Sequence, residues 1–99
     1  MSLNKCVFEF YLLAEGWLSA PPYDDGSTAP TAPADSVASI RMIEFSSDDK
    51  PDIWFKAEIL TRGKFSEATT LIEKYGLPNA ILVNCPAQKE QLWAQLLGS

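Results

Sequence analysis

Histidine is absent from all 99 residues. The commonest general base near neutral pH and the commonest metal ligand are therefore missing, which excludes Ser-His and Cys-His catalysis. Cysteine is nearly as scarce. Cys6 and Cys85 stand almost a chain length apart, which supplies neither a disulfide framework nor a paired CxxC zinc pattern, so two free thiols in a reducing compartment are expected. Positive charge is short as well: eight lysines and arginines against thirteen acids leave a net charge of −5. That balance repels phosphate backbones and anionic headgroups, and neither a nucleic-acid nor a membrane partner is expected. No apolar run approaches the ~20 residues that span a bilayer, and no succession of basic, apolar and small residues resembles a secretory leader, so the expected compartment is the cytoplasm.

What is present suits one small domain, residues 1–99, with 46% hydrophobic and 21% charged residues. From Lys5 to Leu18 the side chains alternate. Cys6, Phe8, Phe10, Leu12 and Ala14 form a wholly apolar side, and Val7, Glu9, Tyr11, Leu13 and Glu15 form a mixed one, as in a strand with one face on a core. Residues 19–36 then turn to proline, alanine, serine and aspartate without apolar periodicity, which predicts a long irregular loop within the domain. A second strand is predicted over 37–45, a turn over 46–52, and a third strand over 53–61 in which Ile53, Phe55, Ala57 and Ile59 alternate with Trp54, Lys56, Glu58 and Leu60.

The period then lengthens. Phe65, Ala68, Leu71, Ile72 and Tyr75 recur at helical spacing before Gly76-Leu77-Pro78, and Ser66 is a candidate cap. Ala80–Val83 reads as a short buried strand, and Pro86 opens a last helix with Leu92, Trp93, Leu96 and Leu97 inward. The expected fold is α+β in the order β-β-β-α-β-α, a mostly antiparallel sheet with two helices packed on one face and the other face partly bare.

That order is similar to the first part of the ribonuclease H-like fold, whose resemblance implies a carboxylate metal site. Glu9 and Glu67 or Glu73 fall at two of its positions, but Asn84 stands where the last acid belongs, so the set is incomplete. Pro51-Asp52 before a strand resembles the opening of the PD-(D/E)xK nuclease motif, and the following Lys56-Ala57-Glu58 departs from it. No catalytic residue, metal or cofactor is expected. Cys85 is the one candidate reactive thiol, because it precedes Pro86 at a junction where a helix start would lower its pKa.

The strongest candidate site is a contact surface. If the first and third strands share a sheet, Tyr11, Leu13, Trp54 and Leu60 make an apolar patch rimmed by charges, composed as protein interfaces are. Tyr23, Asp24 and Asp25 in the loop are candidate partner contacts beside it. Residues 1–52 carry nine acids and three bases, a balance of −6, and residues 53–99 carry four acids and five bases, a balance of +1. Such polarity favours a basic protein surface as partner. The expected function is therefore that of a small acidic, non-enzymatic interaction protein, either a homodimer or an inhibitor similar in size and charge to immunity proteins and phage inhibitors. The competing expectation is a small-molecule binder or minor enzyme with an aromatic-lined pocket, bearing Glu9, Glu15 or Cys85 at its mouth.

Overall fold

A computed structural model describes residues 3–24, 26–47, 53–61 and 65–97. The fold is α+β. An antiparallel five-stranded sheet comes first in the chain, and the helices follow. The strands are β1 (Leu3–Leu13), β2 (Gly16–Ser19), β3 (Tyr23–Asp24), β4 (Ala38–Ser47) and β5 (Trp54–Thr61). Their order is β2-β1-β4-β5, with β3 paired to the same edge of β1 as β2.

The expected continuous strand over 5–18 is a hairpin instead. Leu13 pairs with Gly16 across Ala14 and Glu15, and Gly16 takes a φ of 122°, a conformation that L side chains rarely adopt. The chain reverses there because glycine alone enters that region without strain. The ring of Tyr75 lies 3.7 Å from where a Cβ of residue 16 would sit, and its hydroxyl donates to the Ala14 carbonyl at 3.2 Å. Trp17 Nε1 donates to the Gly76 carbonyl at 2.7 Å. Two side-chain bonds thus tie the hairpin to the segment that ends the first helix.

That helix, α1 (Phe65–Tyr75), buries Ala68 and Ile72 at i and i+4, carries Glu67 in its first turn and Lys74 in its last, and stops at Gly76, whose φ is 77°. The Gly76 N–H closes the last turn on the Ile72 carbonyl at 2.7 Å. Next, residues expected as a fourth strand form α2 (Asn79–Asn84). A short apolar run does not distinguish strand from helix. Here the decision falls to Pro78, whose carbonyl accepts from Ile81 and Leu82, and to burial at Ile81 and Cys85, four apart, while Val83 is exposed. A 3₁₀ turn (Pro86–Gln88) leads into α3 (Lys89–Leu97), which buries Leu92.

The register assigns faces. Phe10 and Leu12 stand opposite Ile40 and Ala38, and Ile40 opposite Ile59, so these residues share the inner face that the helices cover. There they form one cluster with Met42, Ala68, Ile72, Leu77, Ile81, Cys85 and Leu92. Full burial of a side chain such as Leu12 or Ile72 contributes roughly 1.5–3 kcal/mol each. The other face of the sheet, called outer below, carries Val7, Glu9, Tyr11 and Leu13 of β1 and the alternate residues of β4 and β5.

Candidate interaction face

The sheet places β4 between β1 and β5, so the two strands expected to form one patch are not neighbours. Across the outer face the rows read Tyr11, Ser39, Leu60; then Glu9, Arg41, Glu58; then Val7, Ile43, Lys56. The side chains of Trp54 and Leu60, and all of Asp25, lie outside the described residues.

The β1 side of this face is sealed. Val7 is 2% exposed and Tyr11 4%, although neither belongs to the helix-side core. Topology identifies the cover. β3 and β4 pair with opposite edges of β1, so the segment between them crosses β1, and the helices already occupy the inner side. The connection therefore crosses the outer face, with Pro30, Ala32 and Pro33 half-buried and Ser36 buried. It is pinned at its end: Ser36 Oγ donates to the Pro33 carbonyl at 2.7 Å, and the Val37 N–H donates to the Leu12 carbonyl at 2.9 Å. Tyr11, expected as an exposed anchor, is thus packed beneath the chain's own backbone. Leu13 is half-buried, and the apolar residue left open beside it is Leu18 of β2, 47% exposed.

Under the cover sits a carboxylate. Glu9 is 7% exposed and accepts three hydrogen bonds: from the Tyr11 hydroxyl at 2.8 Å on Oε2, and from the Tyr23 hydroxyl at 3.2 Å and Arg41 Nε at 2.9 Å on Oε1. A buried charge is tolerable only when paired and hydrogen-bonded, and this one is both. Arg41 keeps 47% of its side chain in contact with solvent, so the pair straddles the boundary between sealed and open surface. The hydrogen bond to Glu9 holds the Arg41 guanidinium protonated even more firmly than usual; burial opposes this, and the charges of Glu9 and Glu58 add to it. Tyr23 and Glu9 were visible in the sequence separately. Their meeting was not, because it depends on a two-residue strand inside the proline-rich segment.

Beyond Arg41 the face opens. Glu9, Ser39, Arg41, Glu58 and Ile59 line a shallow concavity of about 220 Å³. Lys56 and Glu58 are exposed and lie 3.4 Å apart on β5. Neither a family model, nor a curated protein, nor a solved structure matches this chain. Its chemistry has to be read from these groups themselves.

The three groups expected at a pocket mouth do not converge. Glu9 is under the outer cover, Glu15 is exposed in the β1–β2 turn, and Cys85 is in the helix-side core. Cys85 is 4% exposed, and burial pushes its thiol pKa up. The expected activation at a helix start fails because only a three-residue 3₁₀ turn begins there and the sulfur faces apolar neighbours. Cys6 is half-buried and also free. Asp24 and Asp35 are exposed, while Asp48, Asp49 and Asp52 of the predicted acidic turn lie outside the described residues. Among the described residues no group of three or more cysteines and carboxylates is placed to hold a metal ion, and no helix is long and apolar enough to cross a membrane.

Proposed function

We propose that the chain acts by protein contact, without catalysis, through the outer surface of β4 and β5. One observation carries this: β1 is sealed on this face, whereas Arg41, Lys56 and Glu58 on β4 and β5 are exposed, with Ser39 and Ile43 half-buried among them, so that apolar and charged groups lie side by side on a two-strand surface. Interfaces combine such groups, and a β-sheet face offers them in fixed register. Glu9, the one buried carboxylate among the described residues, is engaged by three donors, which suits a structural group rather than a general base. The concavity on this face, about 220 Å³, is small beside the roughly 300–1,000 Å³ of ordinary ligand pockets. A larger and more open one of about 470 Å³, between the β1–β2 turn and the start of α1, is lined among the described residues by Ala14, Ser66, Glu67, Thr70 and Leu71, without the aromatic side chains that the small-molecule alternative expects.

The test is a charged substitution at the centre of the open surface, Ile43→Glu, against Leu18→Glu on the far side of the seal. Binding to a candidate partner protein, read by calorimetry, should be weakened by the first and not by the second. A saturable thermal stabilisation by a metabolite, abolished by Glu58→Gln, would instead favour the pocket and remove contact as the function.

A further inference from the structure

β5 carries a second feature, on its edge rather than its face. Among the described residues it pairs with β4 alone, so its far side is the open edge of the sheet. The Ala57 N–H points to that side, where it donates to Gln88 Oε1 at 2.6 Å. Because backbone direction alternates along a strand, Phe55 and Ile59 present their amides and carbonyls the same way.

Read against itself in the opposite direction about Ala57, this strand is self-complementary. One position out, Lys56 meets Glu58; two out, Phe55 meets Ile59; three out, Trp54 meets Leu60. Only this register pairs both charges. Centring the pair on Lys56 or on Glu58 would set like charges directly opposite each other, and centring it on Phe55 or Ile59 would set a charge against an apolar residue. Edge strands commonly carry charges that discourage unrelated strands from docking, and Lys56 and Glu58 are such charges, arranged so that a copy of the same strand would meet each with its opposite.

We propose that β5 pairs antiparallel with β5 of a second copy, about a twofold axis through Ala57, joining two sheets into one, and that Gln88 holds the central bond in the single chain. This goes beyond the outer-face contact proposed above, because it uses the edge of β5 and takes a second copy of the chain as its partner. Each Lys56 then faces the partner's Glu58, twice by symmetry, and the Ala57 N–H and carbonyl bond their own counterparts. For that to happen Gln88 must swing out. The glutamine is thus a latch that competes with dimerisation and keeps the edge closed at low concentration.

Sedimentation velocity of the full chain, from about 1 μM to about 1 mM, reads the equilibrium directly. The native chain should show a concentration-dependent dimer. Lys56→Glu and Glu58→Lys should each weaken it about tenfold or more, since either sets two like-charge pairs across the axis, and the double exchange should restore it. Gln88→Ala should tighten it. Circular dichroism of every variant at the lowest concentration separates lost pairing from lost folding. A native chain that stays monomeric throughout would overturn self-pairing, while its binding to a different protein, sensitive to Ile43→Glu, would leave the contact function standing. A dimer that ignores both charge reversals, or a double exchange that fails to recover it, would overturn the register. A dimer that is unchanged or weakened by Gln88→Ala would overturn the latch.

Discussion

Removing Glu9 should cost more than removing the arginine that pairs with it. Glu9→Ala deletes the acceptor on which two tyrosine hydroxyls and one guanidinium nitrogen converge, at a position only 7% exposed. Hydrogen bonds to a charged group contribute about 1.5–3 kcal/mol, neutral ones about 1, and loss of a buried partner adds the desolvation of what remains. The Arg41 contribution sits at the low end because half its side chain is in water. Together these give about 3 kcal/mol for Glu9→Ala and about 1 kcal/mol for Arg41→Ala, which leaves both tyrosines on the carboxylate. At roughly 4–8 °C per kcal/mol for a domain of this size, the first should lower the melting temperature by about 12–24 °C and the second by about 4–8 °C. Urea titration at constant slope checks the order independently. Equal losses, or a larger loss for Arg41→Ala, would show that a surface ion pair rather than a buried acceptor organises this side of the sheet.

Gly16→Ala should destabilise by about 1 kcal/mol or more, since the added Cβ meets Tyr75 at ordinary contact distance and the cost is one of backbone conformation at φ 122°; unchanged urea unfolding would mean that the β1–β2 turn is built differently. Ile72→Ala, at a position with no exposure in the helix-side core, should lose about 2–5 kcal/mol in the same assay, and a loss below about 1 would contradict the packing of α1 on the sheet. Cys85 should react with a chromogenic disulfide only after denaturant is added, because its thiol is buried and its pKa raised; fast labelling of Cys6→Ala protein under native conditions would refute that placement. The same raised pKa predicts a pH slope. Above the unfolded thiol's pKa of about 8.5 the unfolded chain holds fewer protons than the folded one, so stability should fall as pH climbs through the folded value, and Cys85→Ala should flatten that fall.

The sheet and the helices were legible wherever a period ran long enough. Residues 5–13 of β1 and the length of β5 follow a strand's two-residue period, and α1 repeats at three and four with a glycine to stop it. Where a tertiary partner makes the decision, the pattern is silent. Trp17 and Leu18 extend the apparent alternation of β1 past the turn, and only Gly16 before them hints at the reversal. Ala80–Val83 suits either a strand or a helix until Pro78 and the burial of Ile81 and Cys85 decide it. Alternation also separates two faces without saying what lies over each. Val7 and Tyr11 flank Glu9 on a side that looks open from the sequence. A carboxylate between two large apolar residues was the available sign that something covers it, and its donors Tyr23 and Arg41 come from 14 and 32 positions away.

The division of the sheet into a sealed side and an open one is tested most directly by amide hydrogen exchange, resolved by residue and repeated from dilute to concentrated protein. Tyr11 and the β1 amides around it should exchange slowly at every concentration, whereas Phe55 and Ile59, pointing from the free edge of β5, should exchange fast when dilute and slow once the protein is concentrated. Slow exchange at Phe55 and Ile59 in the dilute chain, or fast exchange at Tyr11, would contradict it.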